Sequence, residues 1–194
     1  MKLIAITGGI GSGKSVVAHL VQVMGYLVYD CDSRAKALMT SNEEVRSLLT
    51  KEFGRETYLE DGSLNRQHLS AMAFGNAETL ARLNAIVHPA TARDMMQWAE
   101  TLAGKGADVA FIETALLRTA SLDKLVDEVW HVTAPTEIRI KRVMTRSGLT
   151  AQQVRDRIAS QTVEEEAAPD EKVIVNDDTS AVLPQVIHLL NKKQ

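Results

Sequence analysis

Short apolar runs alternate along this chain with longer stretches of helical spacing. The runs Leu3 to Ile6, Tyr26 to Tyr29, Val109 to Ile112, Val129 to Val132 and Val173 to Val175 read as β-strands. Strands alternating with helices predict an α/β fold, a parallel sheet covered by helices on both faces. Directly after the first run, Val16, Val17, Leu20, Val21 and Met24 recur at helical spacing, and Gly25 is placed to end that helix. The stretch from Tyr29 to Asp108 is too long for one crossover and reads as helices. Ser41 with Glu44 forms a capping box ahead of Val45, Leu48 and Leu49. Leu80, Leu83, Ile86 and Val87 make a further stripe, and Pro89 is expected to open another helix. Residues from about 35 to 104 are therefore expected to be a helical insertion within one domain spanning 1–194.

Pro135 opens a helix carrying Arg139, Lys141, Arg142 and Arg146, interrupted at Ser147-Gly148. Thr150 with Gln153 caps the next, which carries Arg155 and Arg157, so residues from about 139 to 161 form a basic helical hairpin. From Ser180 onward an amphipathic helix closes the chain, tolerating Pro184 in or near its first turn.

The strongest chemical signal lies between the first strand and its helix. Gly8 to Ser15, GGIGSGKS, matches the phosphate-binding loop pattern G-x-x-x-x-G-K-[ST]. Its glycines let backbone N–H groups turn inward around phosphate oxygens, and the helix N-terminus behind them adds favourable partial charge. The expected nucleotide-holding residues are Gly11, Ser12, Gly13, Lys14, Ser15 and Val16. Lys14 reaches the β and γ phosphates of ATP, and Ser15 offers its hydroxyl to Mg²⁺. Such a loop alone does not separate kinases from GTPases or ATP-driven machines. The guanine-reading N-K-x-D motif is absent, Asn176-Asp177-Asp178 being the nearest sequence, and the chain is short for a motor. A small-molecule kinase is the leading reading.

Carboxylates follow two of the strands. Asp30 and Asp32 stand at or just beyond the end of the second, where ligands bind in open α/β sheets. Asp32 is the first choice for a catalytic base on an acceptor hydroxyl, although either residue is also a good helix N-cap. Glu113 follows four apolar residues, the layout of a strand-end carboxylate serving Mg²⁺, directly or through water. Arg142 and Arg146 share one side of the basic hairpin with Arg139 and are the preferred clamps on the transferring phosphoryl group. Glu164 to Glu166 read as a solvated turn, Trp98 and Trp130 as packing residues, and Cys31 as structural.

Composition narrows the setting. A net charge of -3 with pI near 6.0 argues against nucleic-acid affinity, and 4% aromatic content disfavours a base-stacking platform. One cysteine cannot form an internal disulfide, the segment MKLIAITGG has too few apolar residues before its glycines to read as a signal h-region, and no apolar run approaches a membrane span. A cytoplasmic enzyme acting on a small molecule, as a monomer or weak homo-oligomer, is expected.

Several segments together resemble one family, dephospho-coenzyme A kinase, over essentially the whole length. They are the loop Thr7 to Ser15, the V-I-D-A-D-like Val28 to Asp32, His88-Pro89, Leu122 to Val129, the basic segment, Arg157-Ile158-Ala159-Ser160-Gln161, and Val173 to Asn176. The resemblance implies a P-loop kinase fold with a five-stranded parallel core, a helical substrate-binding insertion and a mobile helical lid. It implies ATP-dependent phosphorylation of the ribose 3′-hydroxyl of dephospho-coenzyme A, the last step of coenzyme A biosynthesis. By matching position, Asp32 is the base, Arg142 and Arg146 lie in the nucleotide and lid region, Asn176 lies near the adenine, and His88 near the acceptor. The chain departs from the family's P-L-L-F-E at Ala115-Leu116-Leu117-Arg118-Thr119, which bears on the acceptor-pocket wall.

Overall fold

The computed structural model describes residues 1–73, 76–161, 164 and 166–191. The chain folds as two compact units, Met1–Asp30 with Ala99–Gln194, and Cys31–Trp98.

Among the described residues the first unit holds five strands: β1 (Lys2–Thr7), β2 (Val28–Asp30), β3 (Val109–Glu113), β4 (Glu128–Thr133) and β5 (Lys172–Val175). Every pairing is parallel, in the order β2-β3-β1-β4-β5, so the chain steps to one side of β1 and then to the other. Ligand sites in open parallel sheets gather at the carboxyl ends of strands beside such a reversal, which is where the glycine loop leaves β1. Helices α1 (Lys14–Val23), α6 (Thr136–Ser147), α7 (Ala151–Ala159) and α8 (Val182–Asn191) belong to the same unit.

Register explains the core. Ile4 and Ile6 share a face with Phe111, Trp130 and the side chains of Val17 and Val21 from α1, and Val186 from α8 completes this cluster. Leu3, Ala5, Ala110 and Ile112, on the opposite face, are equally buried, so the central strands carry unbroken apolar runs. Trp130 is fully enclosed, meets Phe111 edge-on with 5.1 Å between ring centroids, and donates its indole N–H to Glu128 at 2.6 Å. Trp130→Ala is expected to destabilise the fold by about 3–5 kcal/mol, read from the shift in urea midpoint at unchanged slope.

The second unit contains α2 (Cys31–Ser41), α3 (Glu43–Phe53), α4 (Arg66–Ala73) and most of α5 (Ala77–Gly104). Val45, Leu49, Phe53, Leu69 and Ala90 form its core, with Leu83 and Ile86 against them. Two expectations about its helices are corrected. The cap of α3 is Asn42, whose side chain accepts the Val45 N–H at 3.0 Å, while Ser41 ends α2 and hydrogen-bonds back to Ala37. Asn caps a helix at least as well as Ser, and its neighbour is free to finish the preceding turn. Pro89 opens no helix but lies inside α5. Leu83, Ile86 and Ala90 pack in one core on both sides of it, and that burial offsets the single backbone hydrogen bond proline forfeits.

Candidate active site

The loop between β1 and α1 is shaped by residues that only glycine can replace. Gly8 and Gly13 have φ of 141° and 99°; a Cβ on Gly8 would lie 2.1 Å from the Val132 carbonyl oxygen, and one on Gly13 would lie 2.0 Å from Asn176 Nδ2. The carbonyls of Ile10, Gly11 and Ser12 are approached by side chains from outside the loop, which leaves the N–H across each trans peptide pointing the other way. Arg139 Nε donates to Ile10 O at 2.8 Å, and Asn176 Nδ2 donates to Ser12 O at 2.8 Å. Arg142 Nη1 lies 3.4 Å from both Gly11 O and Ser12 O, while its Nη2 donates to Asn176 Oδ1 at 3.1 Å and pairs with Asp178.

With the carbonyls turned out, the amides turn in. Among the described residues, the backbone N–H groups of Gly11, Gly13 and Ser15 donate to no protein acceptor, and the Ser12 hydroxyl is buried without a partner. Unpartnered donors gathered at the N-terminus of α1 make an anion cradle of the kind that takes phosphate. Lys14 adds a cation at its rim, with Nζ donating to Gly8 O at 2.9 Å and Gly9 O at 3.4 Å. Val16 is exposed in the first turn of α1.

Beside the cradle, Ser15 Oγ donates to Glu113 Oε1 at 2.7 Å. Strand register puts Glu113 on the α1 face of the sheet and makes Asp30 its neighbour on β2. A hydroxyl and a strand-end carboxylate are the hard oxygen donors that Mg²⁺ selects, so this donor set fits that ion.

Gly11, Ser12, Gly13, Lys14, Ser15, Val16, Glu113, Arg142 and Asn176 thus come together in the first unit. Arg146, one turn beyond Arg142, is exposed and has no partner among the described residues. Asp32 and His88 belong to the second unit. Asp32 is exposed in the first turn of α2, two residues past the end of β2. His88 is half-buried on α5, and burial pushes its pKa below the usual imidazole value.

The family model for dephospho-CoA kinase matches residues 2–182. The chain belongs to the dephospho-CoA kinase family. A dephospho-CoA kinase of Porphyromonas gingivalis is 38% identical over 98% of this chain and 93% of its own. The crystal structure of a Thermus thermophilus protein superimposes with TM-score 0.76 at 34% identity, covering 99% of this chain and 95% of that one. A dephospho-CoA kinase from Campylobacter jejuni, 19% identical, shares the fold with TM-score 0.69 over 100% of this chain and 98% of its own. As a member of the family the chain is a phosphotransferase that phosphorylates dephospho-CoA at the expense of ATP.

Within this dephospho-CoA kinase scaffold, one expected surface element is an anchor instead. Glu164 is no solvated residue: it is 1% exposed and its Oε1 accepts the N–H groups of Arg118 and Thr119 at 3.0 and 2.9 Å and the Thr119 hydroxyl at 3.0 Å. Arg118 also donates to Glu171 Oε1 at 2.6 Å. Arg118 and Thr119, which depart from the family's P-L-L-F-E, are therefore the residues that bind Oε1 of this buried acid, and a run of glutamates gave no hint that one has such partners. Glu165, read as part of the same turn, lies outside the described residues. No helix among the described residues is long and apolar enough to cross a membrane.

Proposed function

We propose that the chain transfers the γ-phosphoryl group of ATP to the ribose 3′-hydroxyl of dephospho-coenzyme A, with Asp32 as the base. The observation that carries this reading is the cradle of inward N–H groups with the Ser15–Glu113 pair at its edge. Gly11, Gly13 and Ser15 orient the phosphate chain through their N–H groups, and Lys14 moves its ammonium from the Gly8 carbonyl onto the β and γ oxygens. Ser15 and Glu113 would hold Mg²⁺, which when bound neutralises charge on the phosphate oxygens. Asp32 accepts the proton of the 3′-hydroxyl as that oxygen bonds to the γ phosphorus. The bridging oxygen–phosphorus bond breaks and ADP leaves. Arg142 and Arg146 stabilise charge on the transferring group, and Asn176 holds Arg142 against the loop on the adenine side.

His88, which burial favours in its neutral form, serves the acceptor as a hydrogen-bonding group. Residues from about 35 to 104 act as the substrate-binding insertion, and those from about 139 to 161 as the lid, in a cytoplasmic monomer or weak homo-oligomer.

Two measurements test these assignments. The phosphorylated product should carry its new monoester at the 3′ position by phosphorus and proton NMR; a phosphate at the 2′ position overturns the regiochemistry. Glu113→Gln is expected to raise the Mg²⁺ concentration for half-maximal rate about tenfold, and an unchanged Mg²⁺ titration removes Glu113 from the metal site.

A further inference from the structure

The basic hairpin contains two side chains that do different work from Arg142, and they hold the two peptide units that flank Ile10. Ile10, at the outer turn of the phosphate loop, has its C=O bound by Arg139 Nε at 2.8 Å and its N–H bound by Gln161 Oε1 at 2.9 Å. Arg139 comes from α6 and Gln161 from just beyond α7, so the two arms of the hairpin grip one residue. The Ile10 side chain is gripped too. It packs against the hairpin's own core of Ile140, Val143 and Val154.

The loop lies hard against α6 at the next residue as well. A Cβ on Gly11 would come within 2.8 Å of the Arg139 carbonyl oxygen and 2.9 Å of Val143 Cγ2. Arg139 is 6% exposed, with its Nε engaged by a loop carbonyl, which suits a brace better than a group that meets substrate. The amide that Gln161 occupies adjoins the one left free at Gly11, and the carbonyl that Arg139 occupies shares its peptide unit with that Gly11 amide. Fixing Ile10 therefore fixes the direction in which the following amides point.

We propose that Arg139 and Gln161 are positioning residues which, through the two peptide groups flanking Ile10, mould the phosphate loop and so set its affinity for ATP. The base of the hairpin is then a fixed wall of the nucleotide site, and lid motion is confined to its distal turns. This rests on the reading of the loop as the ATP site. Because both residues hold Ile10, one on each side of its Cα, their effects are coupled. Because Arg139 acts through a hydrogen bond, a neutral donor at the same position can replace it: the side-chain nitrogen of glutamine is as many bonds from the backbone as Nε of arginine.

The test uses the full chain, with Mg-ATP affinity measured by calorimetry beside steady-state kinetics and thermal melts. Arg139→Met and Gln161→Met are each expected to raise Kd and KM for ATP about tenfold, with kcat at saturating ATP and KM for dephospho-CoA within about twofold. The double variant should lose far less than the roughly hundredfold product of independent effects. Arg139→Gln should stay within about threefold of wild type in ATP affinity. Equal losses in Arg139→Gln and Arg139→Met would make the charge decisive and overturn the proposal, as would unchanged ATP affinity in folded Met variants or a loss confined to kcat. If a Met variant fails to fold, amide exchange in the ligand-free wild type decides. Ile10 should be protected while Gly11 and Gly13 exchange freely, and equal exchange overturns it. Failure of the wild type to bind ATP would defeat the ATP-site reading itself; ATP binding indifferent to these substitutions defeats this inference alone.

Discussion

Lys14→Ala is expected to lower kcat/KM for ATP by about three orders of magnitude while leaving the melting temperature within a few degrees of wild type. Its ammonium hydrogen-bonds the carbonyls of Gly8 and Gly9 at the rim of the cradle. Attraction between a cation and phosphate oxygens is stronger than its hydrogen bonds to neutral carbonyls, so bound ATP draws the ammonium inward. Removing a donor aimed at charge that develops in the transition state costs about 10²–10³ in rate, and lost ground-state binding adds to that in kcat/KM. Lys14→Arg should recover little, because the planar guanidinium does not fit a point-charge position on this narrow rim. Steady-state kinetics over an ATP series checks both; near-normal kcat/KM in folded Lys14→Ala would remove Lys14 from the phosphate site.

Asp32→Asn is expected to separate binding from turnover. Its carboxylate is exposed in the first turn of α2, outside the unit that carries the phosphate loop. ATP affinity should therefore stay within about twofold, while kcat falls about 10²–10⁴-fold, the contribution of a positioned general base. The amide keeps the shape and hydrogen-bonding reach of aspartate but cannot take the proton. Calorimetric ATP titration together with single-turnover kinetics reads the two quantities independently. Wild-type turnover in Asp32→Asn would show that Asp32 is not the base, and a large loss of ATP affinity would place it at the nucleotide instead.

The parallel sheet was legible because each strand is a short apolar run bounded by turns, and all five runs became strands. Their limits shifted for identifiable reasons. Tyr26 lies outside β2 but packs edge-on against Phe111 in the same core, so it carries a strand's hydrophobicity without a strand's hydrogen bonds. The glycine loop was readable from its own spacing, whereas the hydrogen bond from Ser15 to Glu113 spans 98 residues of sequence and comes from strand register.

Contacts that depend on distant packing left a weaker trace. Arg139 was visible only as one of several cations on a helix, and nothing in that stripe says that it reaches back to Ile10. Gln161 was visible only as the last residue of the Arg157 to Gln161 segment, and its bond to Ile10 spans 151 residues of sequence. The burial of Glu164 depends on N–H groups presented by the segment after β3, which a local charge pattern cannot reveal. Pro89 misled for the opposite reason: a strong local breaker was overruled by apolar packing on either side of it.

The most direct measurement of the central claim is ADP formation by the purified chain with Mg-ATP, in the presence and absence of dephospho-coenzyme A. The account predicts acceptor-dependent ADP release that matches coenzyme A formation one for one. ADP release no greater than in the acceptor-free control, under conditions where the chain binds ATP, would contradict it.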